Sequence, residues 1–328
     1  MKKNLFYFLI VSAFLLSCKK EHASQSTPVK ISGKKYKVVF NVSNFYVQKG
    51  GSSFLRSRSA GPVSLAAADS VINVSGYLDN LYLFAYDNLN GNDLISKVAQ
   101  DSTMNNFGTI TDSLAAGQYI IAIAAGKKGF VPINGTYVGA GTRFDQGSIW
   151  VETTLGYNNP NWQDTFSAYY ILTVSAINAN VYSVTLHRMV SKLQLHLTDA
   201  VPANAKSITM AYAGEASQLS VFDQAIDIGP IDTVSVTKQV TAADVGKTGF
   251  TLEKIIGNSS FYTDVILTAK DASNNVIAKV TVPVIKLKQN TTTILSGKLF
   301  GASASANSQS FQVKIDTAWN TSGAGITF

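Results

Sequence analysis

The chain has 328 residues, of which 46% are hydrophobic and 14% charged, with a formal net charge of +7 and a single cysteine, Cys18. Such a mild positive excess is weak evidence for an acidic partner, and we expect the protein to bind no nucleic acid. A single cysteine excludes an internal disulfide and a metal site built from cysteines. The length is suited to one large or two medium domains.

The first 18 residues have the parts of an export signal. Lys2 and Lys3 give a basic start, and residues 5–16 (LFYFLIVSAFLL) form an apolar run as long as a signal-peptide core. This run is shorter than the roughly 20 apolar residues that span a bilayer. It ends in LLSC, which resembles a bacterial lipobox and implies that Cys18 becomes the lipid-modified N-terminus. The alternative is an ordinary secretory signal followed by a chance cysteine.

A polar segment follows Cys18 and predicts a tether over residues 18–35, after a signal peptide over residues 1–17. Residues 19–33 (KKEHASQSTPVKISG) show no apolar period, as in a solvated linker that holds a domain off a membrane. The opening CKKE resembles the charged signal that sends Bacteroidetes lipoproteins to the cell surface. A charged tether without that role is the alternative.

Period-two alternation of apolar and polar residues dominates from Tyr36 onward and predicts strands with one buried face. The first strand carries Val38, Phe40 and Val42 on one face. Gly117-Gln118-Tyr119 resembles the start of many strands in transthyretin-like sandwiches. Further strands of the first half are predicted at residues 71–74, 81–86, 113–124, 150–155 and 169–177.

A loop rich in Ser, Gly and Arg follows the first strand at residues 50–62. It contains Arg56 and Arg58, two of the four arginines in the chain. Exposed loops of this composition are preferred sites of proteolysis, so both arginines are candidate processing sites. The alternative is a basic loop that is never cut.

A long stretch rich in Gly and Asn lies between residues 126 and 165, and loops of this length are usually functional or partly ordered. Trp150, Tyr157 and Trp162 lie in or beside it. Exposed aromatic rings can stack on sugars or on another protein, which makes these three candidate glycan or partner contacts. Packing in a sandwich core is the alternative.

The second half shows a change of phase. Val184 and Leu186 alternate on one phase, whereas Leu193, Leu195 and Leu197 follow the other, which indicates a bulge or a chain that passes between sheets. Later strands are predicted at residues 207–212, 217–222, 232–236, 249–256, 263–270, 276–284, 292–300 and 311–315.

The fold class is therefore predicted to be all-β, with two successive antiparallel β-sandwiches over residues 36–180 and 181–328. Helical periodicity is nearly absent. The boundary is placed near residue 180, to within about ten residues, because a second block of strands starts near Val181.

The sequence contains no pattern typical of catalysis or metal binding. His187 and His196 lack acidic neighbours at the spacing of known metal motifs. Residues 87–93 (DNLNGND) resemble a calcium loop but lack its closing acidic residue, and a hairpin turn accounts for them. We therefore expect no enzymatic activity, no cofactor and no metal.

Three stretches resemble the Bacteroidetes fimbrillin family, the subunits of protease-assembled type V pili. They are residues 184–199 (VTLHRMVSKLQLHLTD), 290–300 (NTTTILSGKLF) and 311–320 (FQVKIDTAWN). The first is similar to the arginine-containing strand with which the second domain begins in that family. Together with the lipobox, the three stretches span most of the mature chain.

The resemblance implies a subunit made as a lipoprotein, carried to the outer membrane or cell surface, and cut by an arginine-directed surface protease after Arg56 or Arg58. The leaving strand would be residues 36–48, and a like-folded subunit would fill the groove by strand addition. Residues 311–328 are the candidate donor. Partners would be other pilus subunits and the outer membrane, and processed protein would enter the fimbrium. A surface glycan-binding lipoprotein is the alternative function.

Overall fold

The computed structural model describes residues 33–46, 74–88, 93–127, 130–134, 149–153, 161–216, 218–221, 233–257, 260–301 and 311–316. Residues Ile31–Phe328 form one compact unit. Cys18, Arg56, Arg58 and Tyr157 lie outside the described residues, so the predictions on them stay predictions. In the described ranges, no helix has the length and apolar character needed to cross a membrane.

The described residues are almost entirely β, which confirms the predicted all-β class, although two of the strand pairs are parallel and not antiparallel. One short helix, α1, spans Val74–Tyr77. The strands are β1 (Lys35–Tyr46), β2 (Asn80–Asp87), β3 (Leu94–Asp101), β4 (Thr109–Ala115), β5 (Gly117–Gly126), β6 (Phe130–Asn134), β7 (Ile149–Thr153), β8 (Thr165–Val174), β9 (Asn180–Arg188), β10 (Val190–Leu197), β11 (Ser207–Tyr212), β12 (Gln218–Ser220), β13 (Val234–Gln239), β14 (Thr251–Gly257), β15 (Ser260–Lys270), β16 (Val276–Lys288), β17 (Thr292–Gly297) and β18 (Phe311–Asp316).

The first half folds into two layers because one sheet turns a corner. The strand order is β3-β2-β5-β8-β9-β1-β4, but β8 and β9 pair only at Phe166↔Arg188 and Ser167↔His187. Beyond this point side chains bridge the strands: the Tyr170 hydroxyl donates to the carbonyl of Thr185, and the Tyr182 hydroxyl to that of Thr173. The layers β3-β2-β5-β8 and β9-β1-β4 enclose a core that includes Val38, Phe40, Leu83, Ile121, Phe166 and Leu186. We call this the N-terminal sandwich.

The predicted strand at residues 113–124 is wrong, because the chain there makes two strands in different layers. β4 pairs with β1 and β5 pairs with β2 and β8, and Ala116 lies between them. The apolar run is continuous across this step, so its pattern did not reveal the change of layer.

The second half packs two four-stranded sheets around another core. Their orders are β14-β10-β17-β18 and β13-β11-β15-β16. Side chains of both sheets meet in one cluster, which includes Leu193, Leu195, Leu252, Met210, Leu267 and Val282. We call this the C-terminal sandwich. The phase change after Leu186 marks the passage of the chain from β9 to β10 in another sheet, so β9 stays with the N-terminal sandwich and the described strands divide after Arg188. The division into domains over residues 36–180 and 181–328 stays a prediction.

A third apolar cluster lies on the outer face of β2 and β5. It includes Phe84, Ile120, Trp162, Met189, Ala216 and Leu219, which come from both halves of the chain. Trp162 lies against Gly257: a β-carbon at Gly257 would stand 2.2 Å from the indole ring. Only glycine fits at this contact, which helps to hold the two sandwiches together.

Candidate functional site

β1 is the part of the fold on which the implied strand exchange depends. It pairs with β4 in antiparallel and with β9 in parallel orientation, so both of its edges are hydrogen-bonded. β4 has no other partner among the paired strands of the described residues. Removing β1 would therefore open a groove between β4 and β9 with unpaired backbone groups on both sides.

The side chains of β1 follow the predicted alternation. Val38, Phe40 and Val42 are buried in the core of the N-terminal sandwich. Burying three such side chains contributes roughly 5 to 8 kcal/mol as an upper estimate. This amount is large enough that a subunit without β1 would bind a substitute strand tightly.

β1 and helix α1, which follows the predicted processing loop, both pack against Gly108. The Val42 amide donates to the Gly108 carbonyl at 2.7 Å. Gly108 has a φ of +90°, and Val74 of α1 lies beside it in the core. Val42 of β1 and Val74 of α1 therefore both lie against Gly108.

A buried arginine ties α1 to both sandwiches. Arg188, at the end of β9, is buried, and its Nε and Nη2 atoms donate to the two carboxylate oxygens of Asp164 at 2.6 and 2.9 Å. Nη1 donates to Asn290 Oδ1 at 2.9 Å, and Nη2 also donates to the Tyr77 hydroxyl at 3.0 Å. The Tyr77 hydroxyl in turn donates to Asp164. We call these four residues the arginine cluster.

The arginine cluster explains two of the stretches that carried the family resemblance. Arg188 lies in the first stretch and Asn290 opens the second, and the two residues are 102 positions apart in the chain. Asn290 has a φ of 58°, and its amide donates to the Val190 carbonyl at 2.9 Å. The guanidinium also lies over the Phe166 ring, 5.0 Å from its centroid. The motif residues thus hold the junction of the two sandwiches.

The structure tests only one of the three aromatic residues that were predicted to contact a glycan or a partner. Trp162 is only 2% exposed, and its indole N–H donates to the Ala216 carbonyl at 2.9 Å. This burial argues against stacking of Trp162 on a glycan and favours the core alternative. Trp150 lies on β7, with a side chain outside the described set, so Trp150 and Tyr157 remain predicted contacts.

His187, His196 and the aspartate-rich turn at residues 87–93 do not come together to form a metal or catalytic site. His187 lies on β9, where burial lowers its pKa, and His196 is exposed on β10. The Asp87 amide donates to the Asp93 carbonyl at 2.9 Å in the hairpin between β2 and β3. In the part of the chain that the structure describes, no three His, Cys, Asp or Glu side chains are grouped to hold a metal.

Glu215 is a buried acid that the sequence analysis missed. It accepts a hydrogen bond from the Tyr212 hydroxyl at 2.7 Å. Burial raises the pKa of its carboxyl to about 7, against the opposing effects of Lys254, Tyr212 and the Gly257 amide. Burial also lowers the pKa of Lys254. No pattern in the sequence marks this glutamate, because its partners are brought together only by β11 and β14.

β18 forms an edge of the C-terminal sandwich. It pairs with β17 alone. Phe311 is buried, whereas Val313 and Ile315 on the same face remain 46% and 41% exposed. This strand therefore presents apolar side chains and an unfilled edge among the described strands.

We expect replacement of Arg188 by Met to lower the free energy of unfolding by about 3–5 kcal/mol, because the Asp164 carboxylate would stay buried without its partner. Urea unfolding of the mature chain measures this. Lys279→Met is the control, since Lys279 is exposed on β16 and a surface substitution of this kind changes stability by about 0.5 kcal/mol or less. Equal losses in the two variants would contradict a structural role for the arginine cluster.

We expect the contribution of Glu215 to the stability of the protein to fall as the pH rises from about 4.5 to about 7, because the folded pKa of Glu215 exceeds its unfolded value of 4.5. The folded state binds the proton more tightly, and this contribution is lost as the carboxyl ionises, up to about 3 kcal/mol. Urea midpoints over this pH range, compared between the native chain and Glu215→Gln, measure the effect. An identical slope in both proteins would show that Glu215 does not cause it.

The comparisons with known proteins agree with this architecture. The model of a family described as fimbrillin-A associated anchor proteins Mfa1 and Mfa2 matches residues 59–321. The chain matches no curated protein.

Solved structures are similar to this chain, and two of them have TM-scores above 0.5. A candidate adhesin of Bacteroides thetaiotaomicron VPI-5482 has a TM-score of 0.54 at 12% identity, covering 88% of this chain and 98% of that one. A candidate adhesin of Bacteroides ovatus has a TM-score of 0.51 at 13% identity, with coverage of 88% and 94%. The fimbrial anchor protein Mfa2 of Porphyromonas gingivalis has a TM-score of 0.47 at 11% identity, with coverage of 87% and 98%.

Identities this low show the fold alone, whereas the family model extends over most of the chain. The chain therefore belongs to the family of fimbrillin-A associated anchor proteins, and through that membership it is a fimbrial or adhesive protein of the cell surface.

Proposed function

We propose that the protein is the lipid-anchored base of a surface fimbria. Cys18 holds it in the outer membrane, and β18 is donated to the next subunit by β-strand exchange. The observation that carries this proposal is the edge position of β18, with Val313 and Ile315 half-exposed. The family is one of fimbrial structural proteins, and we expect no enzymatic activity.

β18 is suited to donation because it is an edge strand that pairs with β17 alone among the described strands. Of its six residues only Phe311 is buried. An edge strand with exposed apolar side chains tends to pair with another chain unless a partner covers it. Insertion into a groove of a neighbouring subunit would bury Val313 and Ile315 and hydrogen-bond both edges of the strand.

The acceptor would be a like-folded subunit that has lost the equivalent of β1. In this protein, the corresponding groove is filled by β1, which places Val38, Phe40 and Val42 in it at every second position. Phe311, Val313 and Ile315 repeat the same alternation at the same spacing. A strand of this pattern can present its apolar face to the groove and its backbone to strands such as β4 and β9.

Lipid anchoring and processing cannot coexist in one molecule. Cys18 lies before β1, whereas Arg56 and Arg58 lie after it. Cleavage after either arginine would separate both the lipid and β1 from the rest of the fold. An uncut molecule is therefore an anchor that donates a strand, and a molecule cut by a surface protease is a fibre subunit that also accepts one. Membership of the anchor family supports the uncut form as the functional one.

We expect the intact mass of the protein purified from membranes of its own cells to correspond to a chain that begins at lipid-modified Cys18. Treatment of the cells with an arginine-specific protease gives the reference for the cut form. A mature species that begins at Ser57 or Ser59 would contradict the anchor role and would identify a fibre subunit. A species without lipid on Cys18 would contradict the membrane attachment.

We expect Val313→Asp to release fimbriae into the medium while the lipidated protein stays in the membrane, because a carboxylate on the apolar face cannot enter the groove of the next subunit. The matched control is Gln312→Asp, which adds a negative charge on the other face of β18. Immunoblots of the membrane and medium fractions measure the distribution of fimbriae.

Equal retention of fimbriae by Val313→Asp and by the native chain would contradict donation of β18. Loss of fimbriae from both variants alike would also contradict it, since the two faces of a donated strand have different surroundings.

A further inference from the structure

One end of the N-terminal sandwich brings together three segments. The start of β1 lies beside the end of β4, where Lys35 pairs with Ala115. Gly117 at the start of β5 pairs with Val174 at the end of β8. Asn180 at the start of β9 pairs with Val38. We call this the tether end, comprising residues 34–38, 115–118 and 174–181, because the predicted tether from Cys18 enters the fold here.

The tether end presents two apolar side chains to solvent. Ile177 is 93% exposed, and Val181 on β9 is 57% exposed. Val181 pairs with Val39 of β1, so it lies on the outer face of the sheet near the start of β1.

Ile177 is held in a defined turn. The Ser175 hydroxyl accepts hydrogen bonds from the amides of Ile177 and Asn178 at 3.1 and 3.0 Å. The Asn180 side chain accepts from the Ser175 amide at 2.7 Å and donates to its carbonyl at 3.0 Å. This network fixes the turn and presents an apolar side chain that contributes nothing to the core.

Three lysines lie at the start of β1, the strand whose pairing with β9 begins at Val38 and Asn180. Lys34, Lys35 and Lys37 are exposed, and the Lys34 ammonium lies 5.8 Å from the centroid of the Tyr36 ring. The acidic residues described near this end are Asp87, which is buried at the end of β2, Asp93, whose carbonyl accepts from the Asp87 amide, and Asp112, which pairs with Val38. Asp93 and Asp112 are half-buried, so the fully exposed charges at the start of β1 are those of the lysines.

The length of the segment between Cys18 and β1 limits how far the tether end can lie from a membrane. A segment from Cys18 to Lys35 reaches at most about 60 Å, so a lipid on Cys18 keeps the start of β1 within that distance of a bilayer. β9 runs from the tether end toward Arg188, and β10 of the C-terminal sandwich begins just beyond it. The tether end is thus the part of the described fold that lies next to the anchor along the chain.

We infer that the tether end is a membrane-contact surface, with Ile177 and Val181 at the boundary of headgroups and acyl chains and Lys34, Lys35 and Lys37 on acidic headgroups. Apolar side chains flanked by lysines are the combination by which peripheral elements bind anionic bilayers. The inference rests on the proposed function in that Cys18 must carry the lipid. The contact would orient the fimbrial base and direct β18 away from the bilayer.

A fluorophore at position 177 tests the inference. Cys18 is the only cysteine in the chain and is acylated in the anchored protein, so Ile177→Cys supplies a single free thiol for a polarity-sensitive label. The full lipidated protein is reconstituted into vesicles of phosphatidylcholine and phosphatidylglycerol, with brominated lipids as quenchers. We expect blue-shifted emission and quenching at position 177. The matched control is Val276→Cys, an exposed apolar position on β16 of the C-terminal sandwich, where we expect neither.

Charge reversal tests the electrostatic part. Lys35→Glu combined with Lys37→Glu should reduce the quenching at position 177 about twofold or more, because headgroup attraction becomes repulsion. Lys206→Glu combined with Lys279→Glu, at exposed positions of the C-terminal sandwich, should leave it unchanged.

The outcomes separate this inference from the proposed function. A label at position 177 that is not quenched, in protein whose mass shows lipid on Cys18, overturns the membrane contact and leaves the anchor role intact. Quenching that both charge reversals reduce equally overturns the role of the three lysines. Protein without lipid on Cys18 overturns the anchor role and the contact with it.

Discussion

The burial of one guanidinium constrains the rest of this structure. A charge removed from water must be fully paired, and Arg188 meets that requirement only if Asp164, Tyr77 and Asn290 converge on it. These partners lie before β8, in α1 and in the turn between β16 and β17. The N-terminal sandwich, helix α1 and the C-terminal sandwich must therefore be assembled together before the charge is satisfied.

The need to keep Arg188 paired also affects the proposed strand exchange. A subunit that loses β1 must keep the remaining groove in shape until another strand arrives. α1 follows the loop that would be cut, and Tyr77 fixes it to the arginine cluster, while Val74 stays in the core. Tyr77 thus attaches α1 to the arginine cluster through contacts that do not involve β1.

The sequence predicted the parts of the fold that depend on local alternation and missed those that depend on distant contacts. Val38, Phe40 and Val42 could be assigned to a buried face because the period-two pattern is a property of one strand. The role of Arg188 could not be assigned, because its partners lie 24, 102 and 111 residues away. The change of layer at Ala116 was hidden for a similar reason, since the apolar run continues through it. The burial of Trp162 against Gly257 likewise arises only when the two halves meet.

The parallel pairing of β1 with β9 has a mechanical consequence. In an anchored fimbria, tension would act between the lipid before β1 and the fibre joined at β18. It would pull β1 toward the membrane along its own axis, while β9 is held at its opposite end by Arg188 and the C-terminal sandwich. Force in this direction shears the ladders on both sides of β1, so their hydrogen bonds must break together and not one after another. The strand that would have to leave to open the groove is therefore oriented to resist extraction by load.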